Sequence, residues 1–180
     1  MKQILAFLCM ALAITSCNNS QEKTAETTTT DAPAAAEVTL PYTLSSPYHN
    51  WAIGSTENVA AAMAGLKAFV DKDSAALAAS IGDSLELNFD LLQTKLSRDS
   101  AMKFFADARK MYNDLKVVMH DYVSVISADK KTEWVTIWYT QSWKDAKGVA
   151  DSVQVVNDIR MSNGKMVELD EKSSRFQKKK

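Results

Sequence analysis

The sequence predicts an α+β domain in which helices pack on one face of a curved antiparallel sheet. Amphipathic stretches with helical spacing come first, between residues 55 and 115, with one short alternating stretch among them. Four segments rich in β-branched and aromatic residues follow, and short turn sequences separate them; Asn163-Gly164 is the strongest hairpin signal. Helices that precede a run of hairpin-linked strands are typical of the α+β class, and the predicted order is ααβαββββ.

The first two helices lie at the start of the domain. The first is expected to begin at Ser55 or Thr56, either of which can cap it. Its apolar face repeats at spacings of four, three and four residues, through Val59, Met63, Leu66 and Val70. A second, shorter helix follows, with a cap at Asp73 or Ser74 and an end at Gly82.

A strand, a connection and a third helix come next. Residues 84–89 alternate leucine and phenylalanine with polar residues, which is typical of a half-buried strand. Residues 90–96 are expected to form a connecting loop. The clearest helix follows within residues 97–115, with a cap at Ser97 or Asp99. One face of this helix carries Met102, Phe105, Ala108, Arg109 and Tyr112.

The N-terminus has the features of a secretory signal. Residues 1–16 contain an early lysine, a short apolar run and small residues at the end, as secretory signals do. The run is too short to span a bilayer, which needs about 20 residues. Ile14-Thr15-Ser16-Cys17 resembles the lipobox of bacterial lipoproteins, which implies cleavage before Cys17 and lipidation of its thiol. A plain signal peptide with a chance cysteine is the alternative.

The lipobox resemblance also implies how the rest of the chain is organised. Residues 17–50 would be the lipidated cysteine and a flexible tether, and residues 51–180 would be the folded domain. Asn18 is not the aspartate that often marks inner-membrane retention. The expected location is therefore the outer membrane of a Gram-negative bacterium, on its periplasmic or surface side. Cys9 would leave with the signal, so no thiol would remain for a disulfide or a nucleophile.

Charge and composition argue against several classes of function. The 21 basic residues nearly balance the 22 acidic residues, so nothing in the charge favours nucleic acid as a partner. His120 is the only histidine expected inside the domain, and the acidic residues around it lack metal-ligand spacing. Only five glycines occur, and they form no phosphate-binding loop. We therefore expect no metal, no cofactor and no nucleic-acid partner.

Residues 156–169, VNDIRMSNGKMVEL, resemble the last hairpin of SnoaL-like proteins in the nuclear transport factor 2-like superfamily. Ile159-Arg160-Met161 stands where that family often has an aromatic-Arg-aromatic triplet, so the match departs from the pattern there. The resemblance covers about residues 55–176 and includes the order of the elements. It implies a cone in which the sheet curls around the helices and leaves an apolar pocket. Such cones serve both enzymes and non-enzymes.

The family's enzymes carry acidic residues in this pocket, and the resemblance assigns amides to the corresponding positions. These positions are Asn88 and Asn157. An amide cannot shuttle a proton as a carboxylate can, although it can hydrogen-bond a ligand. A shift of the alignment by one residue would turn Asp158 inward instead.

His120 and Asp121 are neighbours on a predicted strand. Successive side chains on a strand point to opposite faces, so these two are not expected to form a catalytic dyad. The same alternation groups His120 with Tyr122 and Ser124. Three interpretations of this row stay open: it lines a pocket, faces solvent or lies in a dimer interface.

The strand expected over residues 132–143 is apolar on both faces. One face carries Trp134, Thr136, Trp138 and Thr140, and the other carries Val135, Ile137, Tyr139, Gln141 and Trp143. Two apolar faces favour burial on both sides, by the core on one and by a homodimer partner or long side chains on the other. The rival interpretation is a tryptophan platform on which a ligand ring stacks.

The leading functional hypothesis is a lipid-anchored envelope protein whose SnoaL-like domain binds a small apolar ligand or a partner without catalysis. The candidate pocket residues are Asn88, His120, Tyr122, Trp138 and Asn157. The alternative is a small-molecule isomerase, cyclase or hydratase with Asp121, Asp158 or His120 as its base. Ionisable groups that converge inside an apolar pocket would favour the enzyme.

Overall fold

The computed structural model of the protein describes residues 39–43 and 50–175. Residues 39–43 belong to a separate unit of the chain. The predicted signal peptide, the lipidation site Cys17 and most of the predicted tether lie outside the described residues, and so do residues 176–180. These three N-terminal features therefore stay predictions.

Residues 50–175 form three helices and seven strands. The helices are α1 (Thr56–Asp71), α2 (Ser74–Ser80) and α3 (Arg98–Lys110). The strands are β1 (Ala52–Ile53), β2 (Ile81–Phe89), β3 (Leu92–Ser97), β4 (Asn113–Ile126), β5 (Glu133–Lys144), β6 (Ala150–Ser162) and β7 (Lys165–Arg175). Every predicted helix and strand is present, and the structure adds β1 and β3.

The seven strands form one curved, unclosed sheet in the order β1-β4-β5-β6-β7-β2-β3. Neighbouring strands are antiparallel, except that β2 lies parallel to β7. All three helices pack on one face of the sheet, called the inner face here; the opposite face is the outer face. Val135, Ile137 and Tyr139 of β5 point to the inner face and are buried. The α+β prediction is confirmed.

The structure corrects the loop that was expected at residues 90–96. Strand β3 occupies most of this segment and pairs with β2, from Leu92 opposite Phe89 to Ser97 opposite Ser84. Half-buried and exposed residues alternate along β3, which is the period-2 pattern of a strand with one covered face. Six residues were too few for this pattern to stand out from a loop in the sequence.

The helix caps follow the prediction, but the end of α2 does not. Ser55, Asp73 and Ser97 each accept a hydrogen bond from a backbone N–H in the first turn of α1, α2 and α3. Helix α2 ends at Ser80, and β2 begins at once with Ile81. Gly82, the expected stop signal, therefore lies inside β2.

Apart from Val59, which was predicted, the most buried stripe of α1 consists of small residues and not of the predicted larger ones. This stripe is Val59, Ala62, Gly65 and Ala68. Met63 and Leu66 are only partly buried at its sides. A Cβ atom at Gly65 would lie 2.8 Å from Cε of Met166 and 2.9 Å from Oγ of Ser80. Because small side chains occupy this stripe, α1 can lie close to the sheet and to α2.

A β-bulge in β4 breaks the alternation on which the His120 prediction rested. Met119 lies opposite Tyr139, but Asp121 lies opposite Trp138, so His120 is the extra residue between the two pairs. Nε2 of His120 lies 2.7 Å from Oγ1 of Thr140, which alternates with buried Tyr139 and therefore belongs to the outer face. His120 and Asp121 thus lie on the same face, contrary to the prediction.

Candidate functional site

A cavity of about 220 Å³ lies between the inner face of the sheet and the helices. Its walls are mostly apolar, and four phenylalanine rings line it: Phe69, Phe89, Phe104 and Phe105. The rings pack against one another with centroid distances of 5.5–6.0 Å, two of the pairs edge to face. The helices contribute three of these rings and β2 contributes Phe89. The same packing of helices on the inner face therefore forms the walls of the cavity.

Five polar side chains interrupt this apolar lining. They are Tyr112, Tyr139, Gln141, Asn157 and Glu171. Tyr139 and Gln141 come from β5, Asn157 from β6 and Glu171 from β7, where strand alternation turns each of them to the inner face. Asn157 and Glu171 lie directly opposite each other on neighbouring strands. Polar groups from three adjacent strands therefore meet on one wall of the cavity.

Glu171 is the carboxyl group of this wall, and its side chain is partly buried. Among the described residues, no side chain or backbone N–H donates a hydrogen bond to it, and no cation pairs with it. Burial and, to a smaller extent, the negative charge of Asp90 together raise the pKa of Glu171 from 4.5 to about 7. Both the acid and the carboxylate are therefore populated near neutral pH.

Tyr139 and Asn157 form a buried hydrogen-bonded pair beside this carboxyl group. Nδ2 of Asn157 donates to the hydroxyl oxygen of Tyr139 over 3.2 Å. Tyr139 is 1% exposed and Asn157 is 4% exposed. Burial, reinforced by the charge of Glu171, raises the pKa of Tyr139 above its usual value, so its hydroxyl stays protonated. Within the described part of the chain, Oδ1 of Asn157 has no hydrogen-bond partner.

Tyr112, which lies between α3 and β4, also lines the cavity. Its ring packs edge to face on Trp143, with the ring centroids 5.2 Å apart. Burial raises the pKa of the Tyr112 hydroxyl, and the charge of Glu171 raises it further. The cavity thus presents two neutral hydroxyl groups and one titratable carboxyl group.

A larger open groove, of about 870 Å³, lies beside β2, β3 and β7. It shares two lining residues, Phe89 and Glu171, with the cavity. Asp90, Asp170 and Lys172 also line this groove. Glu171 therefore stands between the apolar cavity and a polar surface, where a proton can exchange with solvent.

Of the five pocket candidates, only Asn157 lines the cavity. Asn88 lies along the groove, where its Nδ2 donates to Oε1 of Glu168 over 3.1 Å. Trp138 alternates with buried Ile137 and Tyr139 and so belongs to the outer face. His120 contacts Thr140 on that face, and Tyr122 is half exposed. The sequence therefore located one of the cavity's polar groups.

The three acid–base candidates of the sequence also lie outside the cavity. Oδ1 of Asp158 accepts from Oγ1 of Thr136 over 2.6 Å, and its Oδ2 accepts from Nζ of Lys172 over 3.1 Å. Asp121 is exposed, and its Oδ1 accepts from the backbone N–H of Tyr122 over 2.8 Å. Neither carboxylate faces the cavity, because both belong to the outer face of the sheet.

Sequence reasoning missed Glu171, Tyr112 and Gln141 as site residues and assigned Tyr139 only to an apolar face. A usable signal existed for Glu171: it lies two residues after Leu169, which is buried on the inner face of β7. Alternation from Leu169 turns Glu171 inward and Asp170 outward. An acidic pair is more often solvent-exposed than turned to a core, which hid this signal.

The described residues contain neither a cluster of metal ligands nor a helix suited to a membrane. No group of three or more histidine, cysteine, aspartate or glutamate residues within them has the arrangement of a metal site. None of the described helices is long and apolar enough to cross a membrane.

Known structures share this fold. No protein-family model and no curated protein matches the chain. TerC co-crystallised with polyporic acid is 17% identical with a TM-score of 0.55, over 66% of this chain and 92% of that one. A nuclear transport factor 2-like protein of unknown function from Burkholderia pseudomallei is 12% identical with a TM-score of 0.55, over 67% and 92%.

An LEH-like epoxide hydrolase from M. tuberculosis is a third similar structure, 17% identical with a TM-score of 0.52, over 67% of this chain and 84% of that one. The three helices on a curved, unclosed sheet match the cone of these proteins. The domain therefore has the nuclear transport factor 2-like fold. At such low identities the likeness concerns the fold alone, and the function has to be argued from the cavity.

Proposed function

We propose that the domain binds a compact, mainly apolar molecule in the cavity and transfers a proton on it with Glu171 as the acid–base group. The observation that carries this proposal is the partly buried carboxyl of Glu171, which has no partner among the described residues and lines an aromatic cavity. A carboxyl group with a pKa near 7 both gives and takes protons at neutral pH. This reverses the preference for a non-catalytic domain that the sequence suggested.

The cavity wall supports a specific course of proton transfer. The Glu171 carboxylate removes a proton from a carbon next to a substrate carbonyl, and the electron pair of the broken C–H bond moves to the carbonyl oxygen. The hydroxyl proton of Tyr139 can stabilise the negative charge that develops there. The carboxylic acid then returns the proton to another atom of the substrate. Isomerisation and cyclisation both use this step.

The similar structures support a small-molecule role for the cavity. One of them is named as an epoxide hydrolase, and another was crystallised with polyporic acid. Their identities to this chain are 17%, so they support such a role for the fold and name no substrate for this chain.

Hydrogen–deuterium exchange tests the catalytic proposal. A panel of small cyclic ketones in D₂O, followed by NMR, reports proton removal next to a carbonyl without knowledge of the substrate. We expect the protein to accelerate exchange of at least one ketone, and Glu171→Gln to lower the rate by roughly 10²–10⁴-fold. Asp170→Asn is the matched control, because it makes the same change in charge one residue away on the outer face. Equal rates for both variants would refute the role of Glu171.

Non-catalytic binding is the second candidate function. The amide of Asn157 on the same wall supports it, since an amide binds ligands but transfers no proton. The ketone panel separates the two candidates. Binding of ketones in the cavity without acceleration of exchange would favour the binding module.

We also propose that the chain is anchored to the outer membrane through lipid on Cys17. The lipobox-like Ile14-Thr15-Ser16-Cys17 supports this proposal. Cys17→Ser should move the protein from the membrane fraction to the soluble fraction of cells. If the variant fractionates with membranes as the wild type does, lipid does not anchor the chain.

A homodimer through the outer face is the remaining proposal. Trp134 and Trp138 are only half-buried on this face, and nearby Val118 is exposed. Sedimentation of the Cys17→Ser chain, which lacks the lipid, should give a dimer mass. Adding Trp138→Asp should give a folded monomer. A monomer mass before that second change would contradict the proposal.

A further inference from the structure

The paired side chains of Asn157 and Tyr139 leave hydrogen-bonding capacity unused inside the cavity. Nδ2 of Asn157 donates to the hydroxyl of Tyr139, and Oδ1 of Asn157 meets no donor among the described residues. The hydroxyl of Tyr139 accepts in this bond, so its own proton remains available to a third group. A buried acceptor without a partner is costly, and a ligand that supplies a donor removes that cost.

The assignment of the oxygen and nitrogen atoms in the Asn157 side chain does not alter this conclusion. If the oxygen and nitrogen of Asn157 exchange places, the Tyr139 hydroxyl donates to Oδ1, and Nδ2 is left facing the cavity. The two N–H donors of Nδ2 are then free, and the Tyr139 oxygen can still accept. Either arrangement offers a ligand one donor and one acceptor side by side.

The cavity also limits the size and charge of its ligand. Its volume of about 220 Å³ lies below the roughly 300–1,000 Å³ of sites that bind drug-sized molecules. Within residues 50–175, no lysine, arginine or histidine lines it, so an anion would meet Glu171 without a balancing cation. The phenylalanine walls suit a flat apolar ring.

We propose that the ligand is a compact, uncharged ring compound that carries a hydrogen-bond donor and an acceptor on neighbouring atoms, as a cyclic amide does. The donor and acceptor bind the Asn157–Tyr139 pair, and the ring packs on the phenylalanine walls. The inference rests on the proposed function, because it takes the cavity as the ligand site. It adds the chemical class of the molecule that enters.

Two matched ligands test this class directly. 2-Quinolone has adjacent N–H and carbonyl groups on a flat bicyclic ring, and N-methyl-2-quinolone has a methyl group in place of the donor hydrogen. Their dissociation constants are measured by NMR titration of the ¹⁵N-labelled protein. Tetrahydroisoquinoline, which is cationic at neutral pH, is the third probe. We expect 2-quinolone to bind about tenfold more tightly than its N-methyl derivative.

Protein variants then assign the preference to the amide. In Asn157→Leu the ratio of the two dissociation constants should fall to about one, whereas Asn88→Leu, on the outer face, should keep it. Circular dichroism checks the fold, and Asn157→Ala replaces Asn157→Leu if the latter does not fold. Equal binding of the two quinolones, a ratio that persists in the Asn157 variants, tightest binding of the amine, or no binding of any probe overturns the inference.

The outcomes also separate this inference from the proposed function. If ketone exchange depends on Glu171 but 2-quinolone binds no more tightly than its N-methyl derivative, the proposal of proton transfer stands and the proposed ligand class is wrong. If 2-quinolone binds more tightly but the protein accelerates no ketone exchange, the proposed ligand class stands and the proposal of proton transfer is wrong.

Discussion

The charged side chains on the two faces of the sheet differ in whether they have partners. On the outer face, Asp158 accepts a hydrogen bond from Lys172, and Arg160 pairs with Glu168 at 2.7 Å. On the inner face, Glu171 has neither an ion pair nor a hydrogen bond among the described residues. The charged groups named on the outer face pair with one another, whereas the carboxyl group of Glu171 is available to a ligand.

Asp170 and Glu171 show this difference most simply, because they are neighbours with the same chemistry. Asp170 turns outward and accepts from Nζ of Lys172 over 2.9 Å, whereas Glu171 turns into the cavity. Residue type therefore does not decide which carboxyl group is a candidate for catalysis. The face of the strand decides it, through burial and the absence of a partner.

The largest expected effect concerns the packing that creates the inner face. Ile137 is fully buried on β5, and its neighbour Thr136 points outward to Asp158. Ile137→Ala should lower the free energy of unfolding by about 2–5 kcal/mol, because it leaves a cavity in the core. Thr136→Ala should cost only about 0.5–1.5 kcal/mol for its lost hydrogen bond. Urea denaturation of both variants measures the difference, and equal losses would show that the inner face is not the core.

The second effect is the pH dependence of stability that Glu171 causes. Its pKa of about 7 in the folded protein exceeds the usual 4.5, so the folded state holds this proton more tightly than the unfolded chain. Its contribution to stability is therefore full below pH 4.5, falls as the pH rises through this interval, and is lost above about pH 7. The loss amounts to about 3 kcal/mol, at roughly 1.4 kcal/mol for each tenfold change in proton affinity.

Glu171→Gln isolates this effect from all other titrating groups. The difference in unfolding free energy between the wild type and this variant should change by about 3 kcal/mol between pH 4.5 and pH 8, with the wild type losing stability relative to the variant. Asp170→Asn provides the comparison from the outer face. If the difference in unfolding free energy between the wild type and Glu171→Gln stays constant with pH, Glu171 is solvated like a surface carboxylate.

The smallest effect concerns the charges of the outer face. Lys172 bridges Asp158 and Asp170, and its side chain is largely exposed. Lys172→Met should lower the free energy of unfolding by about 1 kcal/mol or less, and added salt should reduce the loss further. Ketone exchange by this variant should stay within about twofold of the wild type. A larger change in exchange would link the outer charges to the cavity.

Local patterns in the sequence predicted most of the fold. Asn163-Gly164 forms the turn between β6 and β7 with positive φ at both residues, 51° and 71°, as a tight hairpin requires. The helical spacing and the three caps also predicted the helices correctly. The short strand β3 was missed because six alternating residues resemble a loop as much as a strand.

The site was harder to predict, because it depends on irregularities that leave little trace in a sequence. The bulge at His120 turns His120 and Asp121 to the same face, and a second irregularity lies where β6 pairs with β7 near Met161. Alternation fails across each of them. Asn157, which the resemblance assigned to the pocket, lines the cavity, whereas Glu171 required the register of β7 from Leu169 onward.

The protonation of Glu171 is the most direct test of its role. NMR titration of the side-chain carboxyl carbons of ¹³C-labelled glutamates follows each group, and Glu171→Gln assigns the resonance of Glu171. We expect this resonance to titrate with a pKa of about 7. A titration near the usual value of 4.5 would mean that the carboxyl is hydrated or paired, and would contradict its proposed role as the acid–base group of the cavity.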